Sequence, residues 1–217
     1  MRINKLLAVL AAFFFALAAG MGGIANASII YNNGSPTIDD GYPIGGGSST
    51  ADDFSIAAGG TIRSVGFYFQ NYNGITGWDQ QVTYAIRADA SGIPGTVLAT
   101  SSAQNVTPTL SSFAWCCGGG NAWLVEFDLA ADFVAAAGDI YWLELSGAGG
   151  PTPWWVTASA QGDGNGVTNG GSNNYEFAFY LNDTNIGQVQ PVPEPASLVL
   201  VVIGLAGLAS ARRRKVA

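Results

Sequence analysis

The chain has 217 residues, 48% of them hydrophobic and 12% aromatic, with 15 acidic residues, eight Lys and Arg, no histidine and a net charge of −7. Without histidine, neither a Ser-His-Asp nor a Cys-His nucleophile can be assembled, and histidine-ligated zinc is excluded. Six of the eight cations lie at the two ends, so the interior keeps only Arg63 and Arg87 against 14 carboxylates, a balance of −12 that repels nucleic acid and anionic lipid.

At the N-terminus, Arg2 and Lys5 precede an apolar run from Leu6 to Ala19, with Ala25-Asn26-Ala27 beyond it. Positive, apolar and small-residue regions in that order predict a helical export signal over residues 1–27, cleaved between Ala27 and Ser28. Residues 28–190 then have a length that suits one domain with its own core.

Within that domain, apolar residues alternate over short runs broken by Gly, Pro, Asn and Asp, which predicts strands and no long helix. The expected strands are Asp53 to Ile56, Thr61 to Gln70, Val82 to Ala88, Thr96 to Ser102, Ala122 to Leu129, Ile140 to Ser146, Trp154 to Ser159 and Tyr175 to Leu181. Pro94-Gly95 fits the centre of a type II turn, and residues 161–174 read as a long polar loop. Alternation puts Val125, Phe127 and Leu129 opposite Glu126 and Asp128, Tyr141, Leu143 and Leu145 opposite Trp142 and Glu144, and Tyr175, Phe177 and Phe179 opposite Glu176. So many half-buried strands in about 160 residues predict an all-β fold, an antiparallel β-sandwich of jelly-roll type.

Ala51-Asp52-Asp53-Phe54, Ile62 to Phe67, Ala85 to Asp89 with Gly92-Ile93-Pro94-Gly95, and Ala137 to Leu143 together resemble the extracellular jelly-roll domains of bacterial surface proteins. The resemblance spans roughly residues 51–145. It implies the fold alone, since those domains share no uniform activity.

Candidate chemistry is sparse. Glu126, Glu144 and Glu176 are the glutamates from which a glycosidase pair would have to be drawn, but each is expected on a solvated strand face, so no catalytic residue and no enzyme is expected. Calcium is the one metal that the composition favours, and Asp52, Asp53 and Asp163 in the Asp163-Gly164-Asn165 loop are its candidate ligands. No other cofactor is expected. Cys116 and Cys117 are adjacent, with Cα atoms closer than an ordinary bridge prefers, which leaves two reduced thiols and a strained vicinal disulfide as alternatives. Trp78, Trp154 and Trp155 are candidate carbohydrate contacts, because neighbouring strand residues face opposite ways and one indole of the Trp154-Trp155 pair should point outward.

After the domain, Pro191-Val192-Pro193-Glu194-Pro195 breaks regular structure. Ala196 to Ala211 carries no charge and is followed by Arg212-Arg213-Arg214-Lys215, which predicts a membrane-spanning helix held on the cytoplasmic side by its basic end. As a helix the apolar stretch reaches about 24 Å, near the hydrocarbon thickness.

Pro193-Glu194-Pro195, the apolar helix and the basic terminus together resemble the PEP-CTERM sorting signal over residues 191–217. The resemblance implies a substrate of exosortase, a membrane transpeptidase of Gram-negative bacteria that make exopolysaccharide. The expected partners are therefore the secretion machinery, exosortase, the inner membrane and the exopolysaccharide. A non-enzymatic protein of the cell surface or matrix is the leading expectation, and a lectin-like module is the alternative.

Overall fold

The computed structural model describes residues 28–71, 74–114, 120–147, 153–158 and 164–186. They belong to one compact unit, Ala27–Gln188. The expected signal helix, Cys116, Cys117, Asp163, the Pro-Glu-Pro motif, the membrane helix and the basic cluster lie outside the described residues.

The described residues are all-β, with strands β1 Ile29–Asn32, β2 Pro36–Pro43, β3 Ser49–Ser55, β4 Gly60–Gln70, β5 Thr83–Asp89, β6 Pro94–Ser102, β7 Gln104–Ala114, β8 Asn121–Ala135, β9 Ile140–Ser146, β10 Trp154–Ala158, β11 Val167–Thr168, β12 Gly171–Ser172 and β13 Phe179–Asn182. Among the described residues no helix is long and apolar enough to cross a membrane.

The strands form two antiparallel sheets. One runs β12-β11-β3-β9-β5-β6. The other is built on β4, which pairs β8 along one edge and divides its other edge between β13 and β10; β1, β2 and β7 complete it. Alternation works as expected where strands are long. Phe54, Tyr84, Ile86, Tyr141, Leu143 and Leu145 of the first sheet meet Val65, Phe67, Phe69, Val125, Phe127 and Phe179 of the second in a single hydrophobic core. Tyr84 stacks on Phe127 at 5.7 Å and Phe54 meets Phe179 edge-on at 6.5 Å, so aromatic rings bridge the two layers.

Three local expectations are corrected. The β5–β6 turn is not centred on Pro94-Gly95: β6 already begins at Pro94, and the positive φ values belong to Ser91 (64°) and Gly92 (83°). Asp89 sets this turn, its carboxylate accepting from the Ser91 and Gly92 amides at 3.0 and 2.9 Å. The loop expected over 161–174 contains the β11–β12 hairpin. Finally, Tyr175 to Leu181 is not one alternating strand, because β13 starts only at Phe179 and Phe177 makes an isolated bridge to Thr157. Without ladder pairing to enforce alternation, Glu176, Phe177, Ala178 and Phe179 are all buried while Tyr175 is exposed.

Candidate functional site

Two polar features stand out. The first is a cleft of about 360 Å³ on the outer face of the six-stranded sheet. Its floor is a row of cross-strand neighbours, Val167, Ala51 and Glu144, on β11, β3 and β9. The methyl of Ala51 keeps this row low. The β11–β12 hairpin walls one side and Gly92-Ile93-Pro94 the other.

Across the floor, Arg87 Nε donates to Glu144 Oε2 at 2.5 Å and Nη1 to the Gly95 carbonyl at 3.1 Å. The Trp142 ring is fully buried beside them, packed with Ala51 and Val167, and its Nε1 donates to Asp89 Oδ1 at 3.0 Å. That bond, with the turn amides, holds the Asp89 carboxyl below its ordinary range. Asn169 is spent on structure, accepting from the Ser49 amide and donating to Ser48 Oγ. Asn165 Oδ1, in contrast, is buried against the cleft with no hydrogen-bond partner.

The second feature is a cluster of carboxylates, Asp52, Asp53 and Glu176, with one oxygen from each within 4.8 Å of the others. Asp52 is fully buried and Glu176 only 4% exposed, which corrects the expectation that Glu176 sits on a solvated face. Asp52 Oδ2 accepts from the Phe177 amide at 2.6 Å, Oδ1 from the Asp53 amide at 3.1 Å, and Glu176 Oε1 from the Gly164 amide at 2.6 Å. Asn33 completes the group, with Nδ2 at 2.7 Å from Asp52 Oδ2, 3.0 Å from Glu176 Oε2 and 3.1 Å from the Phe177 carbonyl. Burial, and then the charge of Glu176, raise the Asp52 carboxyl well above its ordinary range.

The expected calcium ligands Asp52 and Asp53 are thus joined by a third carboxylate that sequence reading placed elsewhere. Yet the centre between Asp52, Glu176 and the Phe177 carbonyl is filled by the Asn33 amide nitrogen, a neutral donor standing where a cation would have to stand. No spacing rule in the sequence links Asn33, Asp52 and Glu176, which come from the β1–β2 loop, β3 and the stretch before β13.

The remaining candidates separate. Glu126 accepts from the Tyr180 hydroxyl within the sheet built on β4, Glu144 pairs with Arg87 in the cleft of the six-stranded sheet, and Glu176 is buried, so the three glutamates do not converge. Of the tryptophans, Trp155 is fully buried and Trp78 is 5% exposed, both in the core, which corrects their expected role as surface contacts. A short 3-10 turn, Ile75–Gly77, folds Trp78 back to stack on Phe69 at 4.5 Å. Trp154 does face away from the core, half-buried beside Tyr68, Ala122 and Val156, on a surface that the core residue Trp78 does not share. Asp128, expected on a polar face, is likewise buried and accepts from Asn105 Nδ2 and the Ile186 amide.

Beyond the described residues, positions 191–215 match the PEP-CTERM protein-sorting motif. The motif supports sorting by an exosortase-type system, which implies an exported, membrane-associated protein. No match to a curated protein was found.

Proposed function

We propose that the chain is a non-enzymatic protein of the bacterial surface or its exopolysaccharide matrix, carried there by its sorting segment and built around a jelly-roll β-sandwich. The observation that carries this reading is the sorting motif at 191–215, directly after a compact acidic β unit. The jelly-roll reading is supported by strand order. Taking β1, β3, β4, β5, β6, β8, β9 and β13 as strands one to eight, the sheets run 1-8-3-6 and 2-7-4-5, the order of two interleaved Greek keys. The divergence of Glu126, Glu144 and Glu176, and the closing of the Asp52–Glu176 pair by backbone amides, support a non-catalytic role.

Epitope insertion at the exposed Gly46-Gly47 turn, followed by fractionation of the Gram-negative host with and without its exosortase, tests the reading. The processed protein should sit at the surface or in the matrix. A longer, membrane-retained form should accumulate when exosortase is deleted or when Pro193, Glu194 and Pro195 are changed to alanine. An unchanged size and location in both cases would overturn it.

A further inference from the structure

We propose that the cleft on the six-stranded sheet binds a neutral pyranose unit of a glycan. The site uses none of Trp78, Trp154 and Trp155 and stands independently of how the protein is delivered. Its volume, about 360 Å³, falls in the range of small-molecule sites, roughly 300–1,000 Å³.

The chemistry selects the ligand class. Arg87 uses its Nε and one Nη1 proton within the protein, leaving three of its five N–H donors free. Glu144 Oε1 and the Ser49 and Ser172 hydroxyls have no hydrogen-bond partner among the described residues. Donors and acceptors are thus interleaved around one small space. A ligand with several hydroxyls, each able to give and to take a hydrogen bond, satisfies both kinds at once. Between the polar groups, Ala51, Val167 and the exposed Ile93 offer an apolar floor and rim for the C–H face of a ring.

Charge excludes the alternatives. Arg87 is offset by Glu144, so an anion gains no uncompensated cation and meets a domain of net charge −12. A cation would face the free guanidinium donors.

The test is saturation-transfer NMR on the full-length chain in a zwitterionic detergent that carries no sugar headgroup. The probes are methyl glucoside, methyl galactoside and methyl mannoside, with methyl glucuronide as the anionic arm and glycerol as the acyclic polyol. At least one neutral pyranoside should receive saturation, and glycerol and the glucuronide should not compete with it. Ser172→Trp, at an exposed position on the cleft wall, should reduce the transfer at least tenfold. Glu144→Gln, which keeps the shape, should weaken it several-fold, with near-UV circular dichroism confirming that each variant is folded. If Ser172→Trp does not fold, Glu144→Gln alone decides. Absence of transfer from every pyranoside, equal competition by glycerol or glucuronide, or undiminished transfer in the folded variants would overturn the proposal.

Discussion

Glu176→Gln removes one of two carboxylates that the fold forces together away from water, and its effect should be read as a function of pH. In the native protein the Asp52 carboxyl is raised, first by burial and second by the charge of Glu176. The unfolded chain has no such environment, and its aspartates titrate near 3.9. Above that value the native state therefore holds a proton that the unfolded state has released. Stability is fully present at low pH and is lost as pH rises toward the native pKa, at up to about 1.4 kcal/mol per pH unit while one extra proton is bound. Asp89 has the opposite sign, since its native carboxyl is lowered; its contribution is present above the ordinary aspartate range and lost only below it, outside this window. In the variant, the glutamine Oε1 can still accept the Gly164 amide, while its Nε2 replaces the oxygen that accepts from Asn33 Nδ2, a loss that does not depend on pH. Asp52 then loses the contribution of Glu176 and keeps those of burial and of Asp53, so the fall in stability should end at a lower pH. Urea unfolding followed by tryptophan fluorescence between about pH 4.5 and 7.5 measures this directly. Glu176→Gln should gain on the wild type as pH rises. A difference that is constant with pH, or that moves against the variant, would refute the coupling of Asp52 to the charge of Glu176.

Calcium at several millimolar should leave the thermal midpoint of the wild type unmoved, because Asn33 Nδ2 already occupies the space among the cluster oxygens; a midpoint rising with calcium by several degrees would show that the ion displaces the amide. Trp155→Ala should cost about 3–5 kcal/mol in urea unfolding and Trp154→Ala much less, the reverse of what a ligand platform centred on Trp155 requires. Gly66→Ala should destabilise by about 1–3 kcal/mol, since a Cβ there would run into the Tyr180 ring directly across the ladder. Combining it with Tyr180→Ala should recover part of that loss, and strict additivity of the two would place the strain elsewhere.

Strand content was readable where period-two patterning was long and the partner strands were continuous. β9 falls at the expected bounds, and the predicted inward faces of β8 and β9 are the observed core faces. The misses share a cause. β1, β2, β7, β11 and β12 are short, polar or edge strands whose pairing is supplied by neighbours, so their own composition carries little signal. Trp142 and Ala51 sit on an outward face, yet both are buried, because the β11–β12 hairpin extends the sheet beyond β3 and sets Val167 beside Ala51 in one cluster with Trp142. A local pattern distinguishes the two faces of a strand, and it carries no information about what a distant hairpin will cover.

By itself the sequence determined the export-and-sorting logic, the exclusion of histidine chemistry and the all-β class. These depend on composition, contiguous motifs and residue periodicity, all of which are local properties. Only the tertiary structure decided where the polar chemistry gathers. It brought Asn33, Asp52 and Glu176 together across separations of 19 and 143 residues, joined Arg87 to Glu144 across β5 and β9, and sent Trp78 and Trp155 inward. Those outcomes arise from strand order and from competition for one hydrophobic core, which no stretch of the chain encodes alone.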